Sequence, residues 1–376
     1  MSKTMIYADH AATTALSPKA REAMEPFLEA AYGNPSTLYS LAREPHKAVA
    51  HSREIIATAI HADPSEVFFT SGGTEADNWA IKGTAFQYAA GKRIITSSIE
   101  HHAVLNSCAA LGRMGYSIIT LPVSAEGIVL ERALKAALTP DTALVSVMLA
   151  NNEIGSIEPV QTFAEIAHRG NALFHTDAVQ AVGHIPVDVR KLQVDMLSAS
   201  AHKFNGPKGV GFLYIRKGVN ILPLLDGGGQ ERGMRAGTEN VAGIVGMAAA
   251  LQEHIEHLVK EVKFLTGLSD RLVSRLSAQG LDFRVNGSYD RIPGSLSLSF
   301  RGADGEMLLH RLDLMGTAVA TGSACDSKDA VLSHVIQAIS VPQEYAHGTI
   351  RVTLGIDNTA DQVDKIAQQI AMILHL

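Results

Sequence analysis

One lysine has the surroundings of a reactive group. Lys203 follows a short apolar run and precedes a glycine-rich turn in Ser198-Ala-Ser-Ala-His-Lys-Phe-Asn-Gly-Pro-Lys-Gly-Val-Gly211. A lysine so placed, flanked by Ser200 and His202, can bond to an aldehyde cofactor while its neighbours hold a phosphate. Pyridoxal phosphate is such a cofactor, needing a Schiff-base lysine and a carboxylate at its ring nitrogen. Taken alone, Lys203 reads equally as a solvated loop lysine, because most lysines are exposed.

Other stretches offer matching chemistry. Val67-Phe-Phe-Thr70 reads as a strand and leads through Ser71-Gly-Gly-Thr-Glu-Ala-Asp77 into a helix. A strand, a glycine turn and a helix N-terminus make an anion site, because backbone N–H groups and the positive end of the dipole face the turn. Thr74 supplies a hydroxyl there or caps the helix, with Asp77 completing a capping-box-like arrangement. His101 lies beyond the strand Ile94–Ser97, at the edge where open α/β sheets bind ligands. Its spacing with His102 and Cys108 matches no zinc pattern, so no metal is expected. Asp177 falls just past another strand, with Gln180 a turn later. In Asp226-Gly-Gly-Gly-Gln-Glu-Arg-Gly-Met-Arg-Ala-Gly-Thr238, the glycines with Arg232 and Arg235 read as a loop shaped around an anion. Cys325 lies among small polar residues and reads as an exposed, reactive thiol, whereas Cys108 sits in a small-residue helix and reads as packing.

The elements that must position these groups alternate. Strand and helix patterns repeat from Val67 to Ile215, which predicts a mostly parallel sheet covered by helices on both faces. A long amphipathic helix follows, and its polar, His-rich section from Glu253 to Lys263 is the candidate boundary. The remainder is smaller and mixed: strands near Phe283, at Ser295–Phe300 and at Thr349–Thr353, with helices between and after them. The expected division is 15–255 as a large α/β domain, with 1–14 and 256–376 as a small α+β domain. A net charge of −6 excludes a global basic field for nucleic acid or anionic membrane. No apolar run spans a bilayer and no secretory signal pattern opens the chain, so the expected location is the cytoplasm. Two cysteines exclude a disulfide framework.

Assembled, the motifs resemble a known family. Ser-Ala-His-Lys203, Ser-Gly-Gly-Thr-Glu-Ala-Asp-Asn78, Glu100-His101, Thr176-Asp-Ala-Val-Gln180, Glu231-Arg-Gly-Met-Arg-Ala-Gly-Thr238 and Gly322-Ser-Ala-Cys325 resemble, in the same order, those of the cysteine desulfurases of the class V aminotransferase group. The resemblance implies the fold type I architecture of pyridoxal-phosphate transferases. It implies that Lys203 holds the cofactor and later moves the substrate's α-proton. Asp177 would pair with the ring nitrogen, Gln180 with the phenolic oxygen, and His101 would stack on the ring, with Asn152 beside it. Gly73, Thr74, Ser200 and His202 would bind the phosphate, joined by Thr238 from the second subunit of a homodimer. Arg351, helped by Asn34, would hold the carboxylate of L-cysteine, although a structural ion pair also accounts for an arginine there. Cys325 would take the sulfur as a persulfide, release alanine and pass the sulfur to a protein acceptor in iron–sulfur cluster or tRNA thiolation pathways. A selenocysteine lyase or a small aminotransferase is the nearest alternative, and an aminotransferase has no use for Cys325. His10 stands where the family more often has asparagine, and Ala320-Thr321 replaces a pair of serines. The chain also ends soon after its last helix, where housekeeping members carry a longer docking tail, which leaves the acceptor open.

Overall fold

The computed structural model describes residues 5–88, 90–322 and 332–375. In chain order the strands are β1 (Ile6–Tyr7), β2 (Val67–Thr70), β3 (Arg93–Ser97), β4 (Ser117–Leu121), β5 (Thr142–Ser146), β6 (Leu173–Asp177), β7 (Met196–Ser200), β8 (Gly211–Ile215), β9 (Phe283–Asn286), β10 (Ser295–Phe300), β11 (Thr317–Ala318) and β12 (Thr349–Thr353). Seven of them form the central sheet in the order β2-β8-β7-β6-β5-β3-β4. Neighbours from β7 through β4 are parallel, while β8 runs antiparallel to both β7 and β2.

The apolar runs in these strands follow from burial on both faces. Ile94, Leu144, Met196 and Leu213 face one core, which holds Trp79 and Leu111. Their chain neighbours Ile95, Val145, Leu197 and Phe212 face the other, with Phe163, Phe174, Ile56 and Met247. Successive side chains of a strand point to opposite faces, so a strand packed on both sides needs two apolar sets in register. Trp79 is fully buried and donates its indole N–H to the Leu222 carbonyl at 3.0 Å, which satisfies its one polar atom.

The long helix is Val241–Ala278, 38 residues without a break. Ile244, Met247, Ala248 and Leu251 of its first part belong to the main core, and Leu265, Leu268, Leu272 and Leu276 of its second part belong to another. The polar section between them is a change of packing partner inside one helix, not a linker. Its buried member, His254, is held by Glu261 at 3.0 Å and Asn205 at 2.9 Å. The second core also takes Ile6 and Ala8, the antiparallel sheet β12-β10-β9, and the helix Ala360–Leu374, which opens with a capping box at Thr359 and Gln362.

Candidate active site

The carboxyl ends of β3, β6 and β7 meet at one edge of the central sheet. There a cavity of about 310 Å³ is lined by residues that include Gly73, Thr74, His101, Asn152, Asp177, Gln180, Ser200, His202, Lys203 and Arg351. These come from segments as far apart as residues 73 and 351, and the parallel topology brings them to one edge. Ala11 and Ala12, Asp77, His102, Met148, Glu153 and His334 also line it.

Lys203 ends a single 3-10 turn after β7, and its amine donates to the carbonyls of Ala11 at 2.7 Å and Ala12 at 2.9 Å. The side-chain amide of Gln180 donates to the same Ala11 carbonyl at 3.0 Å. The N-terminal segment thus forms one wall of the site. That role escapes sequence reading, because backbone carbonyls carry no side-chain signature. Asp177 is the last residue of β6 rather than the first beyond it, and one carboxylate oxygen accepts the Val179 N–H at 2.9 Å. Burial raises its pKa, while His101, this hydrogen bond and Lys203 act in the opposite direction.

His101 caps the helix His102–Arg113. Its Nδ1 accepts the Ala103 N–H at 3.1 Å, so in the neutral ring Nε2 carries the proton. Burial, the larger influence, lowers its pKa against the pull of Asp177. His202 is driven down to about 4 by burial and by the charges of Lys203 and Lys208, and its Nδ1 lies 3.1 Å from the Thr13 hydroxyl.

The helix Gly73–Ala85 starts with Gly72 as its cap residue and no side-chain cap. The capping role considered for Thr74 and Asp77 is therefore absent. Glu75 instead accepts the Ser71 N–H at 2.8 Å, and Asp77 is buried in the sheet-facing side. The first N–H groups of this helix face the turn, as an anion site requires. A Cβ on Gly73 would stand 2.6 Å from Val179 Cγ2, and one on Gly72, where φ is +147°, would also be conformationally strained.

Arg351 is buried and committed on two sides: it donates to Asp9 at 2.7 Å and to the Asn152 carbonyl at 2.9 Å, and its buried Nε has no partner among the described residues. The structural ion pair is thus real, and the guanidinium also lines the cavity. Asp9 was not legible as its partner.

Two expected residues, Asn34 and Thr238, do not line the cavity. Asn34 stays in its turn, where its side-chain oxygen accepts the Ser36 N–H at 2.9 Å. Thr238 is exposed on the glycine-rich loop. Cys325 lies outside the described residues. The arginines of that loop are not arranged around an anion. Arg235 pairs with Glu75 at 2.8 Å, and Arg232 stacks over the Phe68 ring at 4.2 Å while donating to the Ser65 and Val67 carbonyls. Arg53 forms a two-pronged pair with Glu231, 2.7 Å in each bond. Glu75, the acidic partner of Arg235, sits 160 positions away, so a local reading assigned the positive charge to an outside ligand. Cys108 is buried, and burial pushes its thiol up to about 12, in keeping with packing. His10 lines a separate cavity with Tyr7, Asp357 and Asn358. No group of three or more metal-binding side chains occurs among the described residues.

The donor set fits pyridoxal phosphate. The buried carboxyl of Asp177, a lysine amine, an uncapped helix start that excludes a Cβ, and the hydroxyls of Thr74 and Ser200 answer to the ring nitrogen, the aldehyde and the phosphate of one molecule.

Comparison with known proteins agrees. The family model for aminotransferase class-V matches residues 6–366. Cysteine desulfurase IscS of Dictyoglomus turgidum is 51% identical over 364 residues, covering 96% of this chain and 92% of that one. Cysteine desulfurase IscS of Methanosarcina thermophila is 45% identical, covering 98% and 92%. Among solved structures, a NifS-like protein superposes with a TM-score of 0.93 at 40% identity over 99% of this chain and 100% of its own. A structure described as SspA in complex with cysteine superposes at 0.83 with 32% identity, covering 93% and 99%. With likeness of this extent in sequence and in structure, the chain belongs to the aminotransferase class-V family, among its cysteine desulfurases.

Proposed function

We propose that the chain removes sulfur from L-cysteine in this cavity with pyridoxal phosphate bound, giving L-alanine and a persulfide on Cys325. The observation that carries the reading is the convergence of Lys203, Asp177, the uncapped turn at Gly73 and Arg351 on one cavity. Lys203 would hold the cofactor covalently, Asp177 its ring nitrogen and Gln180 its phenolic oxygen. Gly73, Thr74, Ser200 and His202 would hold its phosphate. When bound, the cofactor supplies an electron sink for the charge left on the substrate's α-carbon.

The chain's own groups do the rest. Arg351, whose Nε has no partner among the described residues, receives the α-carboxylate, and Asn152 lies beside the amino acid. The Lys203 amine takes and returns the α-proton, and His101, neutral with its proton on Nε2, hands a proton onward. The Cys325 thiolate attacks the substrate sulfur. The carbon–sulfur bond breaks as the sulfur–sulfur bond forms, the carbon gains a proton, and the overall exchange needs no outside oxidant.

Thr238, which does not line the cavity of its own chain, would serve the cavity of a second copy, which makes a homodimer the working unit, and Asn34 would help Arg351 hold the substrate carboxylate. The sulfur then passes to a protein acceptor, without nucleic acid or membrane as partner. Among the described residues no helix is long and apolar enough to cross a membrane, and the proposed location is the cytoplasm. The division into 15–255 and 1–14 with 256–376 belongs to the same proposal. Borohydride reduction of the holoenzyme followed by peptide mass spectrometry tests the cofactor's attachment. The adduct is expected on Lys203 and lost in Lys203→Ala; an adduct on Lys208 contradicts the reading.

A further inference from the structure

A second carboxyl group reaches the same cavity beneath Asp177. Asp77, on the helix Gly73–Ala85, is 1% exposed, lines the cavity, and has one carboxyl oxygen with no hydrogen-bond partner among the described residues. Below it a polar row crosses the sheet. His175 of β6 is fully buried, with Nδ1 2.8 Å from the Ser146 hydroxyl of β5 and Nε2 2.9 Å from the Ser198 hydroxyl of β7. Strand register places Ser146 opposite His175, and Ser198 opposite Asp177. Asp77 and His175 approach to 3.7 Å, too far for a hydrogen bond.

This geometry has a consequence for charge. Each serine hydroxyl both donates and accepts, so a neutral imidazole has both nitrogens satisfied in either tautomer. A proton moved from Asp77 to His175 would make a buried ion pair without a hydrogen bond between its members, an arrangement that desolvation disfavours. Burial acts the same way, holding His175 down to about 3. Burial, and with it the acidic Asp177 of β6 and Glu100 of the loop after β3, favour the protonated form of Asp77, while the Ser198 hydroxyl acts in the opposite direction.

We propose that Asp77 is a positioning residue that stays a neutral acid in the working enzyme, so that the single negative charge beneath the cofactor ring rests on Asp177. The row Ser146-His175-Ser198 supports it from below and supplies no counter-charge. The two aspartates thereby have different duties although they line one cavity. Asp177 carries charge to the ring nitrogen, and Asp77 keeps a second charge from competing for it. This rests on the reading of Asp177 as the ring-nitrogen partner.

The test uses holoenzyme labelled with ¹³C-aspartate at mildly alkaline pH. Infrared spectroscopy should show the stretch of a protonated aspartic acid that shifts with the label and disappears in Asp77→Asn. Titration of the apo-protein with pyridoxal phosphate should show Asp77→Asn, a neutral group of the same shape, shifting affinity by less than the roughly tenfold that loss of one charged hydrogen bond gives, and Asp177→Asn exceeding it. If Asp177→Asn binds the cofactor as the parent does, the reading of Asp177 fails. If Asp177→Asn behaves as expected but the labelled parent has no protonated aspartic acid, or ¹⁵N resonances show His175 as imidazolium, the proposal for Asp77 is overturned. The infrared and nitrogen measurements need only the parent protein, so they decide even if Asp77→Asn does not fold.

Discussion

Replacing Asp9 with alanine probes the substrate end of the cavity. Asp9 and Arg351 pair at 2.7 Å with side chains 18% and 8% exposed, so removing the carboxylate leaves a guanidinium mostly out of water. Among the described residues its remaining hydrogen bond is to the Asn152 carbonyl at 2.9 Å, and its Nε has no partner. Breaking a buried pair from one side costs about 3–5 kcal/mol, because the surviving charge stays desolvated. That is a large share of the roughly 5–15 kcal/mol by which folded proteins are stable. Removing both charges, as Asp9→Ala with Arg351→Met, should recover much of the loss, since no uncompensated charge remains. A carboxylate ligand should also recover part of it, because it returns an anion to Arg351. The assay is thermal unfolding of the apo-protein with and without L-alanine, for both single variants and the double variant. Asp9→Ala should have the lowest midpoint of the set and the largest rise with L-alanine. A midpoint for Asp9→Ala equal to the parent's, with no added response to L-alanine, would refute the reasoning.

Three other outcomes follow from the same structure. Gly73→Ala should weaken cofactor affinity by about 1–3 kcal/mol, the usual range for overpacking, because its Cβ meets the stiff, β-branched Val179 at 2.6 Å; parental affinity in a cofactor titration would show that the turn has slack. Glu158 is buried, accepts the Val129 N–H at 3.1 Å, and is raised to about 8 from 4.5 by burial, so the folded state keeps a proton the unfolded state loses between those values. That contribution to stability is complete below pH 4.5 and is lost as pH rises through 8, so the gain in melting temperature of Glu158→Gln over the parent should grow from pH 5 to pH 9; a pH-independent difference would contradict the assignment. Cys108→Ser should lower stability by about 1–3 kcal/mol through a buried hydroxyl, yet release alanine from cysteine at the parental rate per folded enzyme.

The legible part of this molecule was the part written in local pattern. Apolar runs separated by helical segments gave the parallel sheet, because a strand buried on both faces must be apolar at successive positions. Lys203, Asp177 and the Gly72-Gly73 turn were readable because each lies at a strand end, where the fold itself brings such residues together. What stayed hidden depends on contacts across the chain. Asp77 looks like a helix-cap residue until the helix is seen to turn that side toward β6. His175 reads as one more strand position, yet its ring joins β5 to β7. The arginines near residue 235 suggest an anion site until Glu75 is found against Arg235. Ala11 and Ala12 act through carbonyls alone. The change in composition near Glu253 falls inside one helix that packs against two cores, and its backbone shows no break there.

The central claim is that sulfur leaves cysteine in this cavity and is taken up by Cys325. The most direct measurement mixes purified holoenzyme with L-cysteine in the absence of added thiol. Alanine is quantified and the sulfur-bearing residue mapped by mass spectrometry, in the parent and in Cys325→Ser. The parent should form one alanine per active site with one extra sulfur on Cys325, and then turn over when a thiol acceptor is supplied. Cys325→Ser should change the cofactor's absorbance with cysteine but release almost no alanine, because a neutral hydroxyl is a far poorer nucleophile toward sulfur than a thiolate. Alanine release by Cys325→Ser at the parental rate, or a persulfide on Cys108, would contradict the account.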